Sequence, residues 1–347
     1  MKTSPSFEPE PVNPEPSPSP HEMSPSEARK LTAEMKIEYF KKAKVAHPKL
    51  SAAFEEIRQL IFPSPSASMI LLVGPPGVGK SLLLELLFEF IMNLFRTEML
   101  LDPGLIPILV TMAASPEDRS FSWKNFYSGL IRKLGGQLHT SVAGLRDGVE
   151  RTLHGRGTRV LAIDEAVHLL RGNSDRFITA HVDSLKSLAS ISGVTILLSG
   201  SYDLLSVPSL SGQIARRVSI VHFPRYYQGY ESEETAFKMA LEKLTVSMPI
   251  DGPIELNDIH QELHACMNGC IGVLKDTLMN ALKRSLNSAS GKWNKTHFRK
   301  ALPTPSQLDA MIRETEEGEK LLSKNDYKTG SNLIIQNCQN ALREKKQ

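Results

Sequence analysis

Lys80 and Ser81 close the octapeptide Gly74-Pro75-Pro76-Gly77-Val78-Gly79-Lys80-Ser81, a G-x-x-x-x-G-K-[ST] spacing in which each residue type has a mechanical reason. Gly77 and Gly79 let the backbone turn successive N–H groups inward, Lys80 supplies an ammonium, and Ser81 adds a hydroxyl one residue later. Together these groups suit the phosphates of ATP with Mg²⁺. Lys80 would reach the β- and γ-phosphates, Ser81 would ligate Mg²⁺, and Leu82 would complete the nucleotide-binding set at the helix N-terminus. A second constellation is Val160-Leu161-Ala162-Ile163-Asp164-Glu165, in which an apolar run delivers two adjacent carboxylates. Asp164 suits a water-mediated hold on Mg²⁺, and Glu165 suits polarising the attacking water as general base.

Elements of the right type stand around both motifs. Met69 to Val73 is a short apolar run bounded by the glycine loop, so strand, loop and helix follow in order, the helix running from Lys80 to about Arg96. Further strands are expected at Ile106 to Met112, Arg159 to Ile163, Thr195 to Ser199 and Ser219 to Phe223. Helices are expected at Trp123 to Leu134, Val142 to His154 and Phe177 to Ile191. Continuous Val/Ile/Leu strands alternating with helices specify an α/β fold with a parallel five-stranded sheet covered on both faces. The strand Ile106 to Met112 is expected to stand between the Lys-bearing and Asp-bearing strands, which separates this pattern from GTPases and nucleotide kinases. From Glu231 onward the pattern turns all-helical (Glu233 to Thr245, Leu256 to Met267, Gly272 to Leu286, Lys295 to Ala301), a small lid domain after the sheet.

The expected organisation is a Pro/Ser-rich tail over 1–26, N-terminal helices over 27–66, the nucleotide-binding α/β domain over 67–228, the helical lid over 229–302 and a polar extension over 303–347. Met1 to Ser26 holds eight Pro and six Ser, a composition unable to bury enough apolar surface to order itself. A helix start is read at Ser24-Pro25-Ser26-Glu27-Ala28, continuing through Tyr39, and Pro48 to Ile61 forms the next helix. A weak helix is expected at Gln307 to Leu322, with the last twenty residues mobile. The chain of 347 residues carries a net charge of +3, and since its tail holds one Lys against four Glu, the remainder is at +6. That excess permits a polyanionic partner without requiring one. No window reaches about 18 apolar residues without a charge, the greasiest stretch, Leu82 to Phe95, being interrupted by Glu85 and Glu89, so no membrane span is expected. Three cysteines and no apolar leader favour a reducing cytoplasm.

The order GPPGVGKS, LAIDEAVHLL, ILLSGS, Ile214-Ala215-Arg216-Arg217 and a lid carrying Gly269-Cys270-Ile271-Gly272-Val273-Leu274-Lys275 resembles AAA+ P-loop ATPases. More narrowly, it is similar to the TniB/TnsC-type transposition regulators of transposons, some of them CRISPR-associated. The helix Pro48 to Ile61, Asp164 to His168, Leu198 to Ser201 and Asn268 to Gly272 carry the narrower likeness, over residues 27 to 300. The resemblance implies a polar sensor at Ser199 or Ser201, an arginine acting in trans at Arg216 or Arg217, and Lys275 where many relatives place a lid arginine. It also implies slow, regulatory ATP hydrolysis, a homo-oligomeric ring or filament on duplex DNA, and transposase and target-selector partners. Arg119, Lys124, Arg132 and Lys133 are the candidate phosphate contacts to DNA. A signalling or replication-initiator-type nucleotide switch is the alternative, and the absence of a winged-helix pattern after the lid sets it second.

Other patterns carry less. Leu210-Ser211-Gly212-Gln213 has the composition of the ABC-type signature loop but follows the Asp-Glu strand instead of preceding it. His260, His264, Cys266 and Cys270 do not share the geometry of a closed zinc shell. Trp123, Phe126 and Tyr127 have the spacing of a helix anchored on a sheet.

Overall fold

The structure, a computed structural model, describes residues 23–65, 68–115, 121–171, 175–252 and 254–324. The described residues open with α1 (Pro25–Ala28), α2 (Ala33–Lys42) and α3 (Pro48–Ile61), then β1 (Met69–Val73), α4 (Lys80–Leu94), α5 (Arg96–Leu101) and β2 (Ile108–Met112). Next come α6 (Trp123–Leu134), α7 (Val142–Gly155), β3 (Val160–Asp164), α8 (Asp175–Ser192), β4 (Thr195–Gly200), α9 (Gly212–Ala215) and β5 (Val218–His222). The helices α10 (Glu231–Val246), α11 (His260–Cys266), α12 (Ile271–Leu286), α13 (Lys295–Arg299) and α14 (Pro305–Lys324) follow.

All five strands are parallel, in the order β2-β3-β4-β1-β5. The strand standing between Lys-bearing β1 and Asp-bearing β3 is therefore β4, and β2, which lies between them in sequence, is at the sheet edge. Burial explains the exchange: β4 is buried at every position, whereas β2 becomes exposed toward Met112. β2 also starts two residues later than its apolar run, because Pro107 has no N–H to give the ladder and serves only as acceptor for Arg159 and Val160.

The sheet is apolar on both faces because each face has its own cover. Leu71 and Val73 of β1 pack with Tyr127, Ile131, Leu145 and Val182 from α6, α7 and α8. Ile70 and Leu72, one pleat apart, pack with Ile57, Leu83 and Leu87 from α3 and α4. A third core joins Phe237, Leu274, Leu278 and Phe298 of the lid with Phe40 of α2. The stretch read as one N-terminal unit thus divides: α2 belongs to the lid core and α3 to the sheet core. The helix expected to run unbroken from Ser24 to Tyr39 is interrupted because Thr32 caps a new helix by accepting from the Met35 N–H.

His47 sits at the join between these units. Its Nδ1 accepts from the Leu50 N–H at 3.3 Å, capping α3, so the Tyr226 hydroxyl at 3.0 Å donates to it. Burial, with help from Lys49 and Lys243, lowers its pKa from 6.5 to about 4. The folded pKa lies below the unfolded one, so the contribution is complete above about pH 6.5 and is lost as pH falls toward 4, on the order of 3 kcal/mol in all. His47→Asn, which keeps a capping acceptor and removes the titration, is expected to flatten this acid loss. Melting temperatures of both chains between about pH 7 and about pH 4.5 check it.

Candidate nucleotide site

The loop between β1 and α4 adopts the backbone that its glycines permit. Gly77 has φ +71° and Gly79, the N-cap of α4, φ +118°. Gly74 must lack a side chain because a Cβ there would stand 2.3 Å from the Phe223 carbonyl oxygen. Lys80 curls back over this loop, its Nζ donating to the carbonyls of Gly74 at 2.8 Å and Pro75 at 3.0 Å. Burial lowers the Lys80 pKa, and the charges of Asp164 and Glu165 oppose that shift. The result is a desolvated cation at the loop mouth.

Asp164 is the hub of the polar groups. Its Oδ2 accepts from Ser81 Oγ at 2.7 Å, and its Oδ1 accepts from Ser199 Oγ at 2.8 Å. This convergence follows from the strand order, since β4 brings Ser199 alongside β3 at the carboxyl ends of the strands, where open parallel sheets bind ligands. A hydroxyl and a carboxylate in contact are hard oxygen donors of the kind Mg²⁺ takes. Glu165 is exposed and has left-handed backbone (φ 52°, ψ 35°), an arrangement costing about 1–2 kcal/mol for a side chain of this type. Strain of this kind gathers at sites of binding and catalysis, and it was not readable from the Asp-Glu pair.

A cleft of about 520 Å³ runs from the loop (Val78, Gly79, Ser81, Leu82) to the α2–α3 linker (Ala43, Val45, His47) and the first turns of α12. Lys275 lines it, but its Nζ donates to the carbonyls of Lys41 at 2.8 Å and Ala43 at 2.7 Å, closing the C-terminal end of α2. Contact between lid and loop comes instead from Gly272 and Val273. A Cβ on Gly272 would lie 2.3 Å from the Gly77 carbonyl oxygen, and one on Gly77 would lie 2.5 Å from Val273 Cγ2. The available signal was a glycine in the first turn of a helix, where it costs about 1 kcal/mol against alanine unless closeness requires it.

The remaining expected residues are dispersed. Ser201 caps the 3-10 turn Tyr202–Ser206 and bonds Asp203 Oδ2 at 3.0 Å, away from Asp164. Arg216 and Arg217 are exposed and directly precede β5, whose first residue Val218 pairs with Met69, the first of β1. They stand at the sheet end opposite the phosphate loop. Lys124 and Arg132 are exposed two helical turns apart on α6, while Lys133 donates to the Val110 carbonyl at 3.1 Å and Thr111 Oγ1 at 3.2 Å on β2. Arg119 lies outside the described residues. His264 packs on the Phe237 ring, and Cys270 is buried.

A family model described as an AAA domain matches residues 65–207. No curated protein matches the chain by sequence. Among solved structures, the Aeropyrum pernix ORC1 protein in complex with DNA is 16% identical over 76% of this chain and 66% of its own, with a TM-score of 0.57. The Aeropyrum pernix ORC2 protein in its ADPNP-ADP complexes is 13% identical (76% and 70% covered, TM-score 0.53). Cdc6p from Pyrobaculum aerophilum is 15% identical (76% and 69% covered, TM-score 0.52). The strand order and these likenesses show an AAA+ P-loop fold, a parallel five-stranded sheet with a helical C-terminal region. Among the described residues no helix is long and apolar enough to cross a membrane.

Proposed function

We propose that the chain is an ATP-dependent AAA+ transposition regulator that assembles on duplex DNA and links target-site selection to transposase recruitment. The convergence of Ser81, Ser199 and Asp164 beside the phosphate loop carries the nucleotide half of this reading. Gly74 to Leu82 bind the triphosphate, Ser81 and Asp164 hold Mg²⁺, which when bound screens phosphate charge, and Glu165 takes a proton from the attacking water. Ser199 rather than Ser201 fills the sensor role, because it alone of the two touches Asp164. The likeness to TniB/TnsC-type regulators supports the transposition half.

Binding to DNA is assigned to the exposed cations of α6. Sequence-neutral binding through phosphates is what a regulator accepting many targets needs, and removing one phosphate-neutralising cation lowers the salt slope by about 0.9 on B-DNA. Lys124→Ala and Arg132→Ala are therefore expected to weaken ATP-dependent DNA binding equally across sequences and to leave nucleotide affinity intact. Titration of labelled duplexes at several salt concentrations checks this, and an unaltered slope in both variants places the DNA surface elsewhere.

The likeness of the fold to ORC1, ORC2 and Cdc6p supports a second reading, a nucleotide switch of replication-initiator type without a transposase partner. Electron microscopy with and without duplex DNA and a non-hydrolysable ATP analogue, repeated with a candidate transposase, separates the two. A nucleotide-dependent ring or filament that retains the transposase supports the first. A monomer on DNA, indifferent to transposase, supports the second.

A further inference from the structure

In sequence α14 is only a weak helix in a polar extension, yet it packs at the mouth of the site. Its Gly318 lies against Tyr202, in the turn that follows β4, so closely that a Cβ would fall 2.0 Å from the ring. Thr315, fully buried, accepts from Asn268 Nδ2 at 3.0 Å and so ties α14 to the lid loop before α12. On either side of these two anchors the helix presents carboxylates. Glu319 grips both arms of Arg225 (Oε1 to Nε 3.0 Å, Oε2 to the terminal nitrogen 3.1 Å) and accepts from the Tyr227 hydroxyl at 3.2 Å.

The backbone leading to Arg225 lies against the phosphate loop. Arg225 is three residues past β5, next to β1 in the sheet, and the Phe223 carbonyl just before it is the group that forbids a side chain at Gly74. Its guanidinium also donates to Asn268 Oδ1. A planar fork held bidentately by a carboxylate is equally matched to a phosphate. Five residues earlier, the Glu314 carboxylate, its pKa raised by partial desolvation and by Asp203, is within electrostatic reach of Lys80, whose charge lowers it. α14 therefore offers carboxylates to both Arg225 and Lys80, and ATP would bring further negative charge against it.

We propose that Arg225 is a phosphate-binding residue of this site and that α14 competes with ATP for it, Glu319 occupying the guanidinium until nucleotide phosphate draws it away and loosens α14 from the Tyr202 turn. The inference rests on the nucleotide-binding reading above. Helix release would uncover Tyr202 and the Asn268 loop, so that nucleotide state is reported by a surface spanning core and lid. A competitor that must be displaced lowers apparent affinity by the fraction of chains in which it is disengaged.

The test uses the full chain, a fluorescent non-hydrolysable ATP analogue and amide hydrogen exchange. With the analogue bound, amides of α14 are expected to exchange faster while those of α4 become slower. Glu319→Gln is expected to tighten analogue binding about tenfold by removing the competitor. Glu314→Gln, on an exposed position that folding does not depend on, is expected to tighten it less. Arg225→Ala is expected to weaken binding and to abolish the gain from Glu319→Gln when the two are combined. Analogue binding with α14 exchange unchanged or slowed, and no gain in affinity from either glutamine variant, makes α14 a fixed buttress and overturns the proposal alone. Failure of the unaltered chain to bind the analogue overturns the nucleotide reading and the latch with it.

Discussion

Glu165→Gln is expected to leave ATP bound and unturned, with phosphate release falling by about 10²–10⁴, the contribution of a positioned general base. The substitution keeps the size of the side chain and its exposed, left-handed setting, so the loop and Asp164 are undisturbed. Lys80→Ala has a different outcome, loss of binding, because the desolvated ammonium held over Gly74 and Pro75 is the positive charge of the loop itself. Equilibrium binding of a fluorescent ATP analogue and a phosphate-release assay on both variants separate the two roles. Hydrolysis unchanged in Glu165→Gln would remove that residue as the base, and retained binding in Lys80→Ala would remove the loop as the site.

The parts of this site that could be read from the sequence are those whose chemistry is local. A strand buried on both faces needs apolar residues at every position, so β1, β3 and β4 were visible within a residue of their ends, and each motif adjoins its own strand. What escaped depends on partners distant in the chain. The slot of β4 between β1 and β3 is decided by relative burial of whole strands, and with it the choice of Ser199 over Ser201 as the neighbour of Asp164. Lys275 has the sequence setting of a phosphate sensor, but its ammonium is taken by the carbonyl end of α2, more than two hundred residues earlier. Arg225 carries no motif at all; only the approach of α14 and the Phe223 carbonyl shows where it stands.

Arg216 and Arg217 are expected to complete the site of a neighbouring copy and not their own. β5 runs parallel to β1 with Val218 beside Met69 and His222 beside Val73. Five residues of strand span about 17 Å, so a side chain preceding Val218 stands a full strand length from the phosphate loop that follows Val73. Arg217 is engaged with Ser190 Oγ at 3.0 Å, whereas Arg216 is exposed at the end of α9, which gives Arg216 the larger share of the effect. An arginine supplied in trans contributes about 10³–10⁵ in rate in NTPases of this type. The doubly substituted Arg216→Ala/Arg217→Ala chain should therefore bind ATP, since its loop is intact, and hydrolyse it poorly. Lys80→Ala chains should do neither. Mixed, the two regain hydrolysis, because a Lys80→Ala subunit still lends its arginines to the intact loop of its neighbour. Activity is expected to peak near equal proportions of the two variants. If wild-type chains hydrolyse at full rate as monomers and no mixture exceeds its separate components, the arginines do not act in trans and the assembly is not coupled to nucleotide through them.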